Sequence, residues 1–236
     1  MTWTALAAMS AVVLVASFVQ GTTGVGFALV VAPVLGLIAP TMLPVTVLIL
    51  MLPLNTYVAW RERGALDLRS GAWITSGRFA GTFAGLWVLV ALSASHLNVL
   101  IGISTIAAAA VTLAMPAFQP SRSVYVAAGI VTGVTETATG IGGPPLALVY
   151  QHHPVAVMRS TIALCFLIGE LISLAFLWQA GRIAAPQLVG AAQLLPALGA
   201  GALLSRLVHH RVDERALRVF VMLFSIVSGV VLLLRT

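Results

Sequence analysis

The segments Gly21-Thr22-Thr23-Gly24-Val25-Gly26-Phe27 and Glu136-Thr137-Ala138-Thr139-Gly140-Ile141-Gly142-Gly143-Pro144-Pro145 interrupt a chain that is otherwise almost continuously apolar. Both place Thr-Gly-aliphatic-Gly where a membrane helix would be expected to continue. Irregular backbone is tolerated at membrane depth only where protein or a water-filled cavity covers it. Two such breaks in corresponding positions are the best pointer that a sequence gives to an internal binding site in a membrane protein.

The composition is that of an integral membrane protein. The 236 residues are 60% hydrophobic and 8% charged, with a mean hydropathy of +1.09, whereas a soluble domain carries about 25% charged residues. The net charge of +6 comes from twelve arginines, without any lysine. No basic face outside the membrane is available for nucleic acid, so the arginines are expected to lie mainly in loops and to set the topology.

Ten apolar runs follow one another, near residues 3–20, 26–38, 41–60, 71–93, 97–115, 123–135, 143–151, 157–179, 186–206 and 214–234. A helix that crosses the hydrocarbon core needs about 20 apolar residues. The runs at 26–38, 123–135 and 143–151 are too short for this and are typical of half-helices or hairpin arms. The sequence therefore predicts an all-α integral membrane protein with eight to ten helical segments.

The runs form two similar halves, at residues 1–118 and 123–236, on either side of a polar turn. Each half consists of a broken pair of helices followed by three longer helices. Asn55 and Glu170 lie at similar depths in corresponding helices of the two halves. We therefore predict one transport domain that is built from two membrane repeats.

The positions of the arginines predict that the two repeats are inverted. The loop at 61–69 has three arginines and its counterpart near 180–186 has one, whereas the turn at 93–97 has none and its counterpart at 206–215 has three. If each broken pair is a re-entrant hairpin, both arginine-rich loops are cytoplasmic, as basic loops usually are. If each pair is a single crossing, one of these loops is external. The hairpin model, with three transmembrane helices after each hairpin, is favoured.

In the hairpin model the two breaks approach from opposite faces and meet near the middle of the membrane. Each restarted helix presents N–H groups and the positive end of its dipole, which suits an anion. The alternative is that small residues only allow close helix packing, which is our interpretation of Gly81 and Gly85. The predicted substrate-binding residues are Gly21, Thr22, Thr23, Gly24, Gly26, Thr137, Thr139, Gly140, Gly142, Gly143, Arg78 and Asn55.

Three residues inside the apolar runs are predicted to act in proton coupling or gating, namely Glu136, Gln20 and Glu170. Glu136 lies at the second break, and Gln20 holds the corresponding place in the first half. An intramembrane carboxyl is a functional candidate by default, although Glu136 can also be a fixed partner of an arginine. Arg78 can pair with Glu170, or it can present its planar guanidinium to an oxyanion.

The two break motifs, the similar halves and the chain length resemble the sulfite exporter TauE/SafE family of membrane permeases. The most family-like part is Gly133 through Gly143 with the prolines that follow, whereas Phe27 stands where a further glycine would be common. The resemblance covers nearly the whole chain. It implies a permease for sulfite, sulfonates or related organosulfur anions, whereas the residues by themselves imply only a polar or anionic solute.

The leading interpretation is a secondary transporter of the bacterial cytoplasmic membrane that works by alternating access. An anion channel or a transporter of small carboxylates are the alternatives. An enzyme is not expected, because no hydrolase or metalloprotease motif is present and the two aspartates lie in loops. No nucleotide-binding motif is present, so a gradient or a partner must supply the energy.

The expected partners are a small anionic substrate and the lipid bilayer, without nucleic acid. We expect no cofactor and no metal, because the adjacent His152 and His153 have no cysteine or aspartate cluster beside them. The oligomeric state is open, with a homodimer among the options.

The hairpin model places both chain termini outside the cytoplasm. We therefore expect a periplasm-active reporter at the C-terminus to be active and a cytoplasm-active reporter at the same position to be silent. Paired fusions of a periplasm-active and a cytoplasm-active reporter measure this. A cytoplasmic C-terminus would exclude the inverted arrangement.

Overall fold

The computed structural model describes residues 3–114, 119–151, 153–208 and 214–234, and every regular element in these ranges is helical. Arg211 and His152, and the end of the first repeat at 115–118, lie outside them. Two 3₁₀ turns, Pro40–Met42 and Arg63–Ala65, precede the third and fourth α-helices. The α-helices are α1 (Trp3–Thr23), α2 (Phe27–Ile38), α3 (Val45–Arg61), α4 (Leu68–Ala91), α5 (Ala94–Ala114), α6 (Arg122–Thr139), α7 (Gly143–Tyr150), α8 (Val155–Gln179), α9 (Ala185–Val208) and α10 (Glu214–Leu234).

Each α-helix falls on one of the ten apolar runs, so the all-α prediction is confirmed. Among the described helices, α1, α4, α8 and α9 are long and apolar enough to cross a bilayer, by length and composition. The 24 residues of α4 extend about 36 Å at 1.5 Å per residue, which exceeds a hydrocarbon core of about 30 Å. The chain is a multi-pass membrane protein, whereas the predicted number of six full crossings stays a prediction.

The two breaks are three residues long, at Gly24–Gly26 and Gly140–Gly142. Their first two residues have the same local structure, whereas φ is 121° at Gly26 and −128° at Gly142. Gly24 and Gly140 have φ angles of 83° and 82°, a left-handed conformation that favours glycine. The N–H of each donates to the carbonyl oxygen four residues earlier, at 2.8 and 2.7 Å. The threonine hydroxyl before each break accepts the N–H of the middle residue, at 3.4 and 3.2 Å. Thr-Gly-aliphatic-Gly therefore ends a helix while satisfying backbone groups that lipid cannot satisfy.

Helix α7 folds back along α6 after the second break. The hydroxyl of Thr132 donates to the carbonyl of Gly142 at 3.2 Å. The rings of Tyr125, in the first turn of α6, and Tyr150, the last residue of α7, have centroids 5.8 Å apart. The outer ends of α6 and α7 therefore lie together at one end of the bundle, as in a hairpin.

Helices α4 and α6 approach so closely that backbone contacts backbone. A Cβ added to Gly77 or Gly81 would overlap a carbonyl oxygen of α6, and one added to Gly85 would lie 2.6 Å from a carbonyl oxygen. Gly129 and Gly133 of α6 face α4 in the same way. Small residues at every fourth position are typical of close helix pairs in membranes, so the packing interpretation of Gly81 and Gly85 is confirmed.

Corresponding helices of the two halves pack on corresponding partners. Helix α1 packs on α9 as α6 packs on α4, and α3 packs on α9 as α8 packs on α4. Helix α2 contacts α10 as α7 contacts α5. The pairs α3–α8 and α5–α10 each join one half to the other. Exchanging the two halves therefore leaves these contacts of the bundle unchanged.

The glycine contact between α4 and α6 predicts a strong effect of one methyl group. Gly81→Ala inserts a Cβ against a carbonyl oxygen, and we expect a loss of about 1–3 kcal/mol, as for other overpacked sites. Gly199→Ala is the matched control, since a Cβ there meets nothing within 4 Å and alanine is the better helix former. Thermal unfolding in detergent micelles compares them. Equal stability of the two variants would contradict the tight contact.

Candidate functional site

The first break and the residue that follows the second break lie close together at a small cavity. A Cβ added to Gly143 would lie 3.9 Å from the Cβ of Val25. The cavity has a volume of about 10 Å³, which is roughly enough for one water molecule. We call it the inter-hairpin cavity, and its lining residues are Gln20, Gly26, Ala28, Leu29, Met51, Gly143 and Phe166.

The chain reversals themselves lie past the cavity, on opposite sides of it. The carbonyl of Thr22 accepts a hydrogen bond from Arg159, near the start of α8, at 3.0 Å. The hydroxyl of Thr137 bonds to that of Ser173, near the end of α8, at 2.8 Å. Arg159 and Ser173 are 14 positions apart, which is about 21 Å along a helix. The two hairpins therefore overlap in depth. The sequence had predicted instead that their tips meet at one level.

The threonine hydroxyls at the breaks are bonded to protein groups in this conformation. Thr22, Thr23 and Thr139 donate to carbonyl oxygens one turn earlier in their own helices, at 2.9, 3.0 and 2.6 Å. Thr137 bonds to Ser173. These bonds stabilise the hairpins, and the predicted role of the threonines as substrate donors stays a prediction.

The start of α2 offers more backbone donors to the cavity than the start of α7. Helix α7 has Pro144 and Pro145 in its first turn, and proline has no N–H. Helix α2 has no proline in its first turn, and the N–H of Phe27 there donates to Oε1 of Gln20 at 3.0 Å. N–H donors were expected from both restarted helices, but the two prolines remove two of them from the second.

Arg78, Glu136 and Glu170 form a charge cluster beside the cavity, and all three are fully buried. The Arg78 guanidinium donates to the Glu136 carboxylate, and its Cζ lies 5.3 Å from the ring centroid of Phe166. It also lies directly against Gly169, where a Cβ would overlap it. Glu170 therefore interacts with Arg78 electrostatically, but Glu136 forms the ion pair that the sequence analysis had considered for Glu170.

A chain of hydrogen bonds joins the inter-hairpin cavity to the charge cluster. From the backbone N–H of Phe27 it passes to Gln20, whose Nε2 donates to Oδ1 of Asn55 at 2.9 Å. Nδ2 of Asn55 then donates to Oε1 of Glu170 at 2.7 Å. Gln20 and Glu170 were predicted from the sequence to act in proton coupling or gating, and Asn55 to bind the substrate. The structure brings the three side chains together.

Several buried polar atoms of this region have no hydrogen-bond partner within the part of the chain that the structure describes. They are Nε and Nη1 of Arg78, Oε1 of Glu136, Oε2 of Glu170 and Oγ1 of Thr82. A buried polar group without a partner costs about 1–3 kcal/mol. Such a concentration of free donors and acceptors is typical of a site that takes up water, a proton or a polar ligand.

Glu62 is a polar residue that the sequence analysis missed. Its carboxylate accepts two hydrogen bonds from Arg159, at 3.1 and 2.6 Å, and Arg159 also donates to the first break. Glu62 lies between two arginines in a loop, a pattern that gave no sign of this contact. Gly169 was also missed, although a glycine directly before an intramembrane Glu170 is a signal for close approach.

A second, larger cavity is an open groove of about 680 Å³ between α5, α6 and α7. Ser104 and Thr135 are its two polar lining residues. The groove is lined mostly by apolar side chains and by none of Arg78, Glu136 and Glu170, whereas Phe166 of the inter-hairpin cavity contacts the Arg78 guanidinium. The charge cluster, rather than this groove, is therefore the candidate site.

A multi-pass helical bundle with two internal helix breaks beside a buried charge cluster has the build of a membrane transport protein. The family model described as Sulfite exporter TauE/SafE matches residues 9–232. The chain belongs to this family of membrane transporters, which confirms the resemblance seen in the sequence. No curated protein and no solved structure matches the chain.

The buried ion pair predicts a rescue experiment. Arg78→Met leaves two buried carboxylates without a cation, and we expect a loss of about 3–5 kcal/mol in the free energy of unfolding. Adding Glu136→Gln removes one of these charges, so the double variant should recover much of the loss. Denaturant titration in micelles measures both, with the exposed Arg63→Met as the control. A double variant that is no more stable than Arg78→Met would contradict the pairing.

Proposed function

We propose that this protein is a secondary transporter that moves a small anion, sulfite or an organosulfonate, across the cytoplasmic membrane of a bacterium. The observation that carries the proposal is the inter-hairpin cavity. It places the start of α2, with its N–H groups and the positive end of its dipole, opposite Gly143. The family supports the class of substrate.

The surroundings of the cavity suit an anion with several oxygen atoms. Phe166 lines the cavity, and its ring centroid lies 5.3 Å from Cζ of the Arg78 guanidinium. Movement of this ring would expose a cation with two unpartnered N–H groups. A guanidinium donates to two oxygen atoms of one anion at once, which favours an oxyanion over a halide.

Two inverted repeats and alternating access are the proposed architecture and mechanism. The left-handed glycine that opens each break and the exchangeable helix contacts support a duplication. The return of α7 to the end of the bundle at which α6 begins supports a re-entrant hairpin. With hairpins in both halves, both termini are external and the arginine-rich loops are cytoplasmic.

The small volume of the cavity favours a transporter over an anion channel. A volume of about 10 Å³ is too small for a sulfonate. The ion contacts of Glu62 and Arg159 hold the first break to α8 at one end of the bundle. Opening therefore requires the helices of one half to move relative to the other, as alternating access supposes.

A cavity-filling variant tests the location of the substrate. The Cβ position of Gly143 has room, so Gly143→Leu should fold but fill the cavity. We expect uptake of labelled sulfite into proteoliposomes to fall to the level of protein-free vesicles. Gly199→Leu is the control, because nothing lies within 4 Å of a Cβ there, and it should transport like the wild type. Wild-type uptake by Gly143→Leu would place the substrate elsewhere.

A further inference from the structure

We propose that Gln20 and Asn55 form an amide relay whose hydrogen bonds reverse direction when Glu170 takes up a proton, so that one proton is coupled to one anion in the inter-hairpin cavity. This inference rests on the proposed function, because it requires an anion in that cavity. It assigns the proton to Glu170 and a coupling role to two uncharged side chains.

The balance of charge in the cluster calls for one proton. Arg78 contributes one positive charge, whereas Glu136 and Glu170 contribute two negative charges when both are ionised. An unbalanced charge inside a membrane protein is costly. A proton on one of the two carboxyls makes the cluster neutral.

The geometry selects Glu170 as the carboxyl that takes up the proton. Glu136 accepts a charge-assisted hydrogen bond from Arg78, and such a bond stabilises the ionised form. Glu170 accepts one bond from a neutral amide, and its Oε2 has no partner in the described part of the chain. Glu170 therefore loses less stabilising interaction than Glu136 when it becomes neutral.

The groups around Glu170 include few other candidates for this proton. Helix α3 contributes the neutral Asn55 at this depth. Nearer the ends of the packed helices are further titratable groups. At the depth of Glu170, the charged and titratable side chains of the packed elements are Arg78, Glu136 and Cys165. Toward the ends of these elements they are Tyr57, Arg61, Arg63, Arg69, Arg122, Tyr125, Tyr150 and Arg159.

The direction of the relay in the structure is fixed by its first donor. A backbone N–H can only donate, so the Phe27 N–H requires an oxygen from Gln20. Gln20 then presents its NH₂ to Asn55, and Asn55 presents its NH₂ to Glu170. The last acceptor is a carboxylate oxygen, so this direction suits an ionised Glu170 and a cavity without an anion.

A protonated Glu170 supplies an O–H donor, which reverses the chain. Asn55 turns its amide to accept this bond with Oδ1, and its Nδ2 donates to Oε1 of Gln20. The NH₂ group of Gln20 is then free to point into the inter-hairpin cavity. There it joins the Phe27 N–H, which Gln20 no longer occupies, so that two donors become available to an anion.

Reversal requires only rotation of two buried amides, because oxygen and nitrogen of an amide group occupy equivalent positions. Gln20 and Asn55 are 2% and 1% exposed, so water does not replace the missing partners. Binding of the anion and of the proton therefore favour each other, and by linkage each raises the affinity of the other equally.

The test measures proton uptake when purified protein in weakly buffered detergent solution binds methanesulfonate, whose charge does not change in this pH range. A pH-indicator dye reports the protons, and calorimetry reports the binding. We expect the wild type to take up about one proton per sulfonate, with an affinity that rises about tenfold for each unit of decreasing pH.

Three variants separate the parts of the proposal. Glu170→Gln presents an amide donor to Asn55 at every pH, so it should bind sulfonate without proton uptake. Gln20→Met keeps the length of the side chain but breaks the relay, so its binding should become independent of pH. Gln179→Met, an exposed amide at the end of α8, should behave like the wild type. Thermal unfolding checks that all three variants are folded.

The outcomes distinguish the relay from the proposed function. Sulfonate binding by the wild type without proton uptake would overturn the relay and leave the transporter assignment intact. Full proton uptake by a folded Gln20→Met variant would also overturn the relay. Absence of sulfonate binding by the wild type would overturn both, because the relay requires an anion bound in the inter-hairpin cavity.

Discussion

The structure depends on the constraint that backbone polar groups inside a bilayer must find partners within the protein. A helix can be interrupted at membrane depth only if the break satisfies its own N–H groups and is covered by other helices. Both breaks meet the first condition with a left-handed glycine and a threonine hydroxyl. They meet the second because each hairpin packs inside the bundle, α6 against α4 and α1 against α9.

Close helix packing and the buried charges depend on each other. The glycines of α4 and α6 let the two backbones touch, which brings Arg78 of one helix within bonding distance of Glu136 of the other. A further glycine, Gly169, lets α8 approach the guanidinium and places the next residue, Glu170, beside the pair. Since unpaired charges are costly at this depth, the glycines make it possible to retain an arginine and two carboxylates inside an apolar bundle.

Function follows from the unequal chemistry of two similar hairpins. The first hairpin contributes backbone donors and the amide of Gln20, whereas the second contributes Glu136 and two prolines that carry no N–H. The elements that we propose for anion binding therefore belong mainly to the first half. The ionisable groups lie on α4, α6 and α8. Two hairpins that differ in this way can bind an anion on one side of the cavity and compensate its charge with ionisable groups on the other.

The sequence by itself determined the membrane class, the family, the ten apolar runs on which the described helices lie and the positions of both breaks, because apolar runs and glycine motifs are local signals that do not depend on distant partners. It also singled out Gln20, Asn55, Arg78, Glu136 and Glu170, since polar residues are rare inside apolar runs. Only the tertiary structure decided that Arg78 pairs with Glu136, that two amides connect Phe27 to Glu170, and that Glu62 holds Arg159. Apart from the bond between Gln20 and Phe27, which are 7 positions apart, these contacts join residues that are 35 to 115 positions apart. Their formation depends on helix rotation and depth, which periodicity along one chain does not specify.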